Sequence, residues 1–221
     1  HGGVSAAMNH NVSRRTYLQL FGFLSLTVVV LWPEPSYYAL LRYGTVPSLL
    51  TALPYLLPGA TLVAALYLGV TSPPREGTLP ALSLKIGVAA VTLLAISLPY
   101  AVLALLAAKV SLLRLLPLVT VLFPAILFYF ALGLFFARVL SFPTLRHFAA
   151  WSAGALMLPV TALYLPPANP VIAAANTAGS ARLLSGGLWV PVISPFPLLA
   201  AAGLPLFGAG ILTTVVVLWK R

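Results

Sequence analysis

Two carboxylates, Glu34 and Glu76, stand against twelve Lys and Arg in the 221 residues of this chain. Acid–base and nucleophilic catalysis need clustered titratable groups, with a nucleophile beside its base or two carboxylates facing each other. Such clusters are missing. Cysteine is absent, which removes disulfides, thiol catalysis and thiolate metal sites. Histidine occurs at positions 1, 10 and 147, too sparse for a metal centre or a bis-histidine haem. His147, next to Arg146, is the single candidate base; Ser141 and Thr144 lie close in sequence, but no carboxylate accompanies them to orient a triad. A histidine opening an apolar run reads better as an interfacial anchor with its polar tip at the headgroups. The expectation is that the chain is not an enzyme and holds no cofactor of its own.

One short segment does combine both signs of charge: SPPREGTLPALSLK, residues 72–85. Arg75, Glu76 and Lys85 supply salt-bridging groups, and Leu79 and Leu82 an apolar knob, the mixture that a protein partner grips. Gly77 permits a sharp change of direction, and Thr78 is placed to cap the helix that follows. The spacing of Leu79, Leu82, Leu84 and Ile86 also suits a short amphipathic piece lying along a membrane surface. The plain alternative is an ordinary cytoplasmic loop. The other acid, Glu34, sits between two prolines near Arg42 and reads as a solvated loop carboxylate.

The elements that must carry this segment follow from composition. The chain is 61% hydrophobic and 6% charged, with a mean hydropathy of +1.06, far from the quarter-charged mix of water-soluble domains. Its solvent is largely lipid. A span needs about 20 apolar residues, and six runs qualify, near 16–32, 48–71, 84–108, 113–140, 147–165 and 190–218. The last carries Pro191, Pro195, Pro197 and Pro205, which predict kinks or a short re-entrant piece between the fifth and sixth spans. The predicted fold is therefore an all-α membrane protein of six transmembrane helices in a single domain, residues 8–221. Residues 1–7, HGGVSAA, read as tag and linker.

Cations orient the bundle. The twelve occur singly or in pairs between apolar runs and form no stripe that would grip nucleic acid. With the N-terminus inside, the inner segments hold Arg14, Arg15, Arg75, Lys85, Arg138, Arg146, Lys220 and Arg221. The outer ones hold Arg42, Lys109, Arg114 and Arg182. This asymmetry predicts a multi-pass protein of the cell membrane with both termini in the cytoplasm. Trp32, Tyr37, Tyr38, Trp189 and Trp219 fall at span boundaries, as an aromatic belt does. SRRTYLQLF (13–21) looks like a twin-arginine export signal, but no small-residue cleavage site follows, and it reads as a retained first span. Asn11-Val12-Ser13 matches a glycosylation acceptor on the predicted cytoplasmic side and is set aside.

Carriers coupled to protons or sodium keep Asp, Glu or His inside the bundle, because a costly intramembrane charge is retained for a task. None of the six runs holds a carboxylate. Energy for transport would have to enter from elsewhere, and residues 72–85 are the candidate point of entry.

With these features the chain resembles the permease subunits of ABC-2 type ATP-binding-cassette transporters. In that family an R-E-x-G-T-L-like segment follows the second span, and Arg75, Glu76, Gly77, Thr78, Leu79 and Leu82 are similar to it. A Y-x-x-P-x-N-P-like element follows the fifth span, and Tyr164, Pro167, Asn169 and Pro170 match it loosely, as an outer-gate region. The haem-exporter B-type permease is a close variant of similar length and span count. The chain departs from the family in having few residues, Met8 to Arg15, ahead of the first span, and in placing Ser72, Pro73, Pro74 and Pro80 at positions that are polar there. The resemblance implies a pair of permease subunits, identical or related, around a central path, with separate ATPase subunits beneath them. ATP and magnesium would bind on those partners, since this chain has no G-x-x-x-x-G-K-[ST] loop. The coupling surface would comprise Arg75–Leu79, Leu82 and Lys85. A path without charged rings slightly favours an apolar or amphipathic cargo. Two other readings remain open: a membrane anchor or accessory subunit of a larger complex, and a channel that conducts alone.

Overall fold

A computed structural model of the chain describes residues 2–31, 49–72, 79–107, 111–164, 169, 171 and 195–219. Among these residues the structure is helical and contains no strand. Six α-helices follow one another: α1 (Gly2–Leu31), α2 (Leu49–Thr71), α3 (Leu79–Ala107), α4 (Leu115–Val139), α5 (Pro143–Tyr164) and α6 (Pro195–Leu218). A 3-10 turn, Leu112–Arg114, leads into α4.

Lipid offers no hydrogen bonds, so backbone groups must be satisfied within the segment that carries them. The threonines that interrupt the apolar runs obey the same constraint. Thr27, Thr61, Thr71, Thr92, Thr120, Thr213 and Thr214 each donate a hydroxyl hydrogen to the carbonyl four residues earlier, at 2.7–2.9 Å. Prolines sit inside α3, α4 and α6, at Pro99, Pro124 and Pro205. Pro195, Pro197 and Pro205 do not interrupt α6, which is one continuous helix of 24 residues. Pro195 and Pro197 fall in its first turn, where no amide bond is lost. A single interior proline is tolerated where neighbouring helices hold the chain. Pro191 and any re-entrant piece before Pro195 lie outside the described residues.

Helix α4 is the hub. It packs against α2, α3, α5 and α6, and its Leu122, Ile126, Phe130 and Leu134 are among the most deeply buried side chains in the bundle. A helix apolar on every face belongs in such a position. Leu62, Leu66 and Val70 of α2 and Leu93 of α3 complete the centre. The exterior is apolar as well: Val29, Leu84, Leu116, Phe148, Leu199, Phe207 and Leu218 are all exposed. In water such a surface would drive aggregation, whereas in hydrocarbon it is the expected outer face. Three helical stretches among the described residues, Leu79–Leu103, Leu112–Val139 and Leu199–Leu218, are long and apolar enough to cross a bilayer, and Leu56–Thr71 is a shorter apolar helix. The chain is a membrane protein by these properties.

Hydroxyls join the first three helices. Tyr17 of α1 bonds Thr92 of α3, and two turns further along Ser25 meets the Tyr100 hydroxyl at 2.6 Å. The shared register makes α1 and α3 parallel. Tyr100 also reaches the Phe21 carbonyl at 3.3 Å and lays its ring edge-on to Phe21. Between α2 and α3, fully buried Thr61 and Ser97 pair at 2.8 Å. Interhelical bonds of this kind contribute about 0.6 kcal/mol each in membrane bundles. Tyr100→Phe keeps the ring packing and removes the hydroxyl, so a loss of about that size is expected. Reversible unfolding in mixed micelles measures it.

Candidate functional site at the basic end

The coupling segment straddles the start of α3. Arg75, Glu76, Gly77 and Thr78 lie outside the described residues. Helix α3 begins at Leu79, one position after the threonine that the sequence nominates as its cap. Leu79 is exposed, Leu82 is half-buried against the core, and Lys85 is exposed. The segment is not a separate surface-lying piece from Leu79 onward. It is continuous with the 29-residue helix, so that Leu82 and Ile86, one turn apart, face inward while Leu79 and Leu84 face out. A load applied at Leu79 would therefore be transmitted along an unbroken rod.

The neighbouring helix ends bring cations to the same level. Tyr67, near the end of α2, lies beside His147 at the start of α5, with ring centroids 6.2 Å apart and planes tilted by 32°. Helices α4 and α5 form an antiparallel hairpin through Leu140, whose amide still bonds the Phe136 carbonyl, and Pro143 opens α5 where no amide partner is needed. Arg138, in the last turn of α4, donates from Nη2 and Nε to the Trp219 carbonyl at 3.0 and 3.3 Å. A guanidinium there satisfies an orphan carbonyl at the end of α6 and sits well on its negative pole. Arg14 and Arg15 stand exposed ahead of Tyr17, and Lys85 lies two turns ahead of its partner Thr92.

One end of the bundle thus gathers Arg14, Arg15, Lys85, Arg138, Arg146 and His147, while Arg114 stands at the opposite end. The described residues include no acid, because both carboxylates of the sequence fall elsewhere. Arg146 is notable within this set, since its Nε is buried and meets no hydrogen-bond partner among the described residues. A buried donor of this kind ordinarily finds an acceptor. From the sequence, Arg146 reads as a topology charge and His147 as an interfacial anchor, and no spacing in the chain links His147 to Tyr67.

Of the residues expected at an outer gate, Tyr164 and Asn169 lie among the described residues. Tyr164 is the last residue of α5, and Pro167 and Pro170 lie outside the described residues. Asn169 is buried, 2% exposed. Its Nδ2 donates to the Leu158 carbonyl of α5 at 2.7 Å, and its Oδ1 accepts from the Val171 amide at 3.0 Å. Nδ2 thus ties Asn169 to α5, while Oδ1 serves the amide two residues on. No group of three or more His, Asp or Glu side chains among the described residues could hold a metal ion. No family model, curated protein or solved structure matches the chain.

Proposed function

We propose that this chain is the membrane-spanning permease subunit of an ATP-driven transporter, an exporter, built from six spans with both ends in the cytoplasm. The observation that carries this reading is the gathering of cations at one end of the bundle, with α3 and its mixed-charge leader starting there. Basic residues mark the cytoplasmic side, so the segment at 72–85 faces the compartment where ATP is found. Spans without carboxylates argue against coupling to an ion gradient, and a rigid helix continuous with the loop suits mechanical input from a peripheral partner.

In this reading the partner ATPase grips Arg75, Glu76 and Leu79, holds Leu82 and Lys85 at its margin, and binds the nucleotide and magnesium itself. A second permease subunit completes the path. Closure of the ATPases tilts α3 and, through its contacts with α2 and α4, rearranges the hub. The test is purification from native membranes with Glu76→Ala and Leu79→Ala combined. Loss of an anchor pair of this type is expected to lower the co-purifying ATPase at least ten-fold, by analogy with interface hot spots of about 2 kcal/mol or more. Undiminished association would count heavily against the reading. A respiratory or assembly partner in place of the ATPase would favour an accessory subunit.

A further inference from the structure

An open groove of about 520 Å³ runs between α1, α2 and α5, within the usual size range of ligand pockets. Its two ends differ chemically. One is apolar, walled by Phe23 of α1 and by Leu56, Ala60 and Val63 of α2. The other is formed by Thr16 and Gln19 of α1, Tyr67 of α2 and Trp151 of α5. Phe23 and Val63 are about half exposed, so the groove opens sideways toward the surroundings of the bundle.

The polar end lies at the basic end of the bundle. Arg15 is exposed one turn before Gln19, and residues four apart share a helix face. His147 lies one turn before Trp151, with its ring beside Tyr67. A largely apolar slot with Gln19, Tyr67 and Trp151 at one end, beside the exposed Arg15 at the interfacial level, is complementary to an apolar tail carrying an anionic headgroup.

We infer that the groove between α1, α2 and α5 holds one anionic phospholipid of the surrounding leaflet, with an acyl chain along Phe23, Ala60 and Val63 and the phosphate near Arg15, Gln19 and Trp151. Charge separates this occupant from a second copy of the chain. Each copy carries a formal +10 with two acids in its whole sequence, so a like surface would bring arginines against a basic mouth with almost nothing to neutralise them. An anionic lipid supplies the missing charge. The inference requires only that the bundle sits in a bilayer, and it stands or falls separately from the ATPase reading.

Trp151 is a built-in reporter, because bromine placed on the acyl chain close to the headgroup quenches a nearby tryptophan without direct contact. The remaining tryptophans, Trp32, Trp189 and Trp219, are replaced by Phe. The protein is then reconstituted without any partner into phosphatidylcholine vesicles containing a brominated fraction of either phosphatidylcholine or phosphatidylglycerol. Brominated phosphatidylglycerol is expected to associate at Trp151 about five-fold more strongly, the ratio implied by ~1 kcal/mol per basic residue at the surface. Arg15→Gln is expected to bring the two lipids close to parity, and Arg114→Gln, at the far end, to leave the preference intact. Ala60→Phe, which fills the apolar end, is expected to reduce quenching by both. Equal quenching by both lipids in the otherwise unsubstituted reporter overturns the inference, as does a preference that survives Arg15→Gln. Absence of quenching by either lipid puts protein in the groove instead and also overturns it.

Discussion

Gly133→Leu is expected to destroy the packed bundle, and Gly133→Ala to weaken it by more than the ~1–3 kcal/mol typical of overpacking. Helices α2 and α4 cross in backbone contact at Gly69 and Gly133. A methyl placed on Gly133 would lie 2.5 Å from the Leu66 carbonyl oxygen and 2.7 Å from the Val70 amide nitrogen. One on Gly69 would run into the Phe130 carbonyl oxygen and come within 3.0 Å of Gly133 Cα. These are backbone atoms of two rigid helices, so no side chain can swing aside, and the helices themselves must separate. Separation at that point opens the most deeply packed seam of the molecule, where Leu66, Val70, Phe130 and Leu134 are buried.

Membrane helices gain little from the hydrophobic effect on associating and depend on close van der Waals approach. Gly69 and Gly133, opposite each other at the crossing, permit it. The appropriate controls are Gly87→Ala and Gly210→Ala, where an added methyl meets nothing within 4 Å. These two are expected to be neutral or slightly stabilising, since alanine is the better helix former. Thermal unfolding in detergent, followed by size-exclusion profile, separates the two classes.

Asn169→Ala should cost about 1–3 kcal/mol of stability through two lost hydrogen bonds in a buried position. Removing the amide strips the Val171 N–H of its side-chain acceptor and the Leu158 carbonyl of a donor. Asn169→Asp distinguishes this role from simple space filling. The carboxylate keeps an acceptor for Val171 but turns negative charge toward the Leu158 carbonyl, so near neutral pH it is expected to be the more damaging change. Burial raises the pKa of such a carboxyl, and only its neutral form can donate to the carbonyl. Its folded-state pKa then exceeds the unfolded one, so the deficit of Asn169→Asp should shrink as pH falls through the carboxyl range and grow as pH rises. A pH series of melting curves for the three proteins reads this out. A deficit independent of pH would exclude the proposed donor role.

Much of this architecture is legible in the chain itself, because in lipid a run of apolar residues has few options. The runs near 48–71, 113–140 and 147–165 correspond closely to α2, α4 and α5. The first and third helices begin earlier than hydropathy alone indicates, at Gly2 and Leu79, since a helix once started continues through polar residues whose backbone bonds it can satisfy. For Leu79–Lys85 that continuation turned an expected surface segment into the leading turns of a rod. Two of the prolines of α6, Pro195 and Pro197, fall in its first turn, where no amide bond is owed.

Composition and the distribution of cations along the chain were sufficient to determine a helical membrane protein. These are one-dimensional properties, set by transfer free energies that add residue by residue. Which residues meet was decided only in three dimensions. Sixteen glycines offer many possible close approaches, yet only a specific crossing of α2 on α4 makes Gly69 and Gly133 indispensable. Tyr67 and Trp151 join Thr16 and Gln19 around one groove from three separate helices. Rotation of each helix about its own axis is invisible to hydropathy when every face is apolar, and it is that rotation, selected by side-chain packing, that places the hydroxyl pairs, the buried Asn169 and the groove.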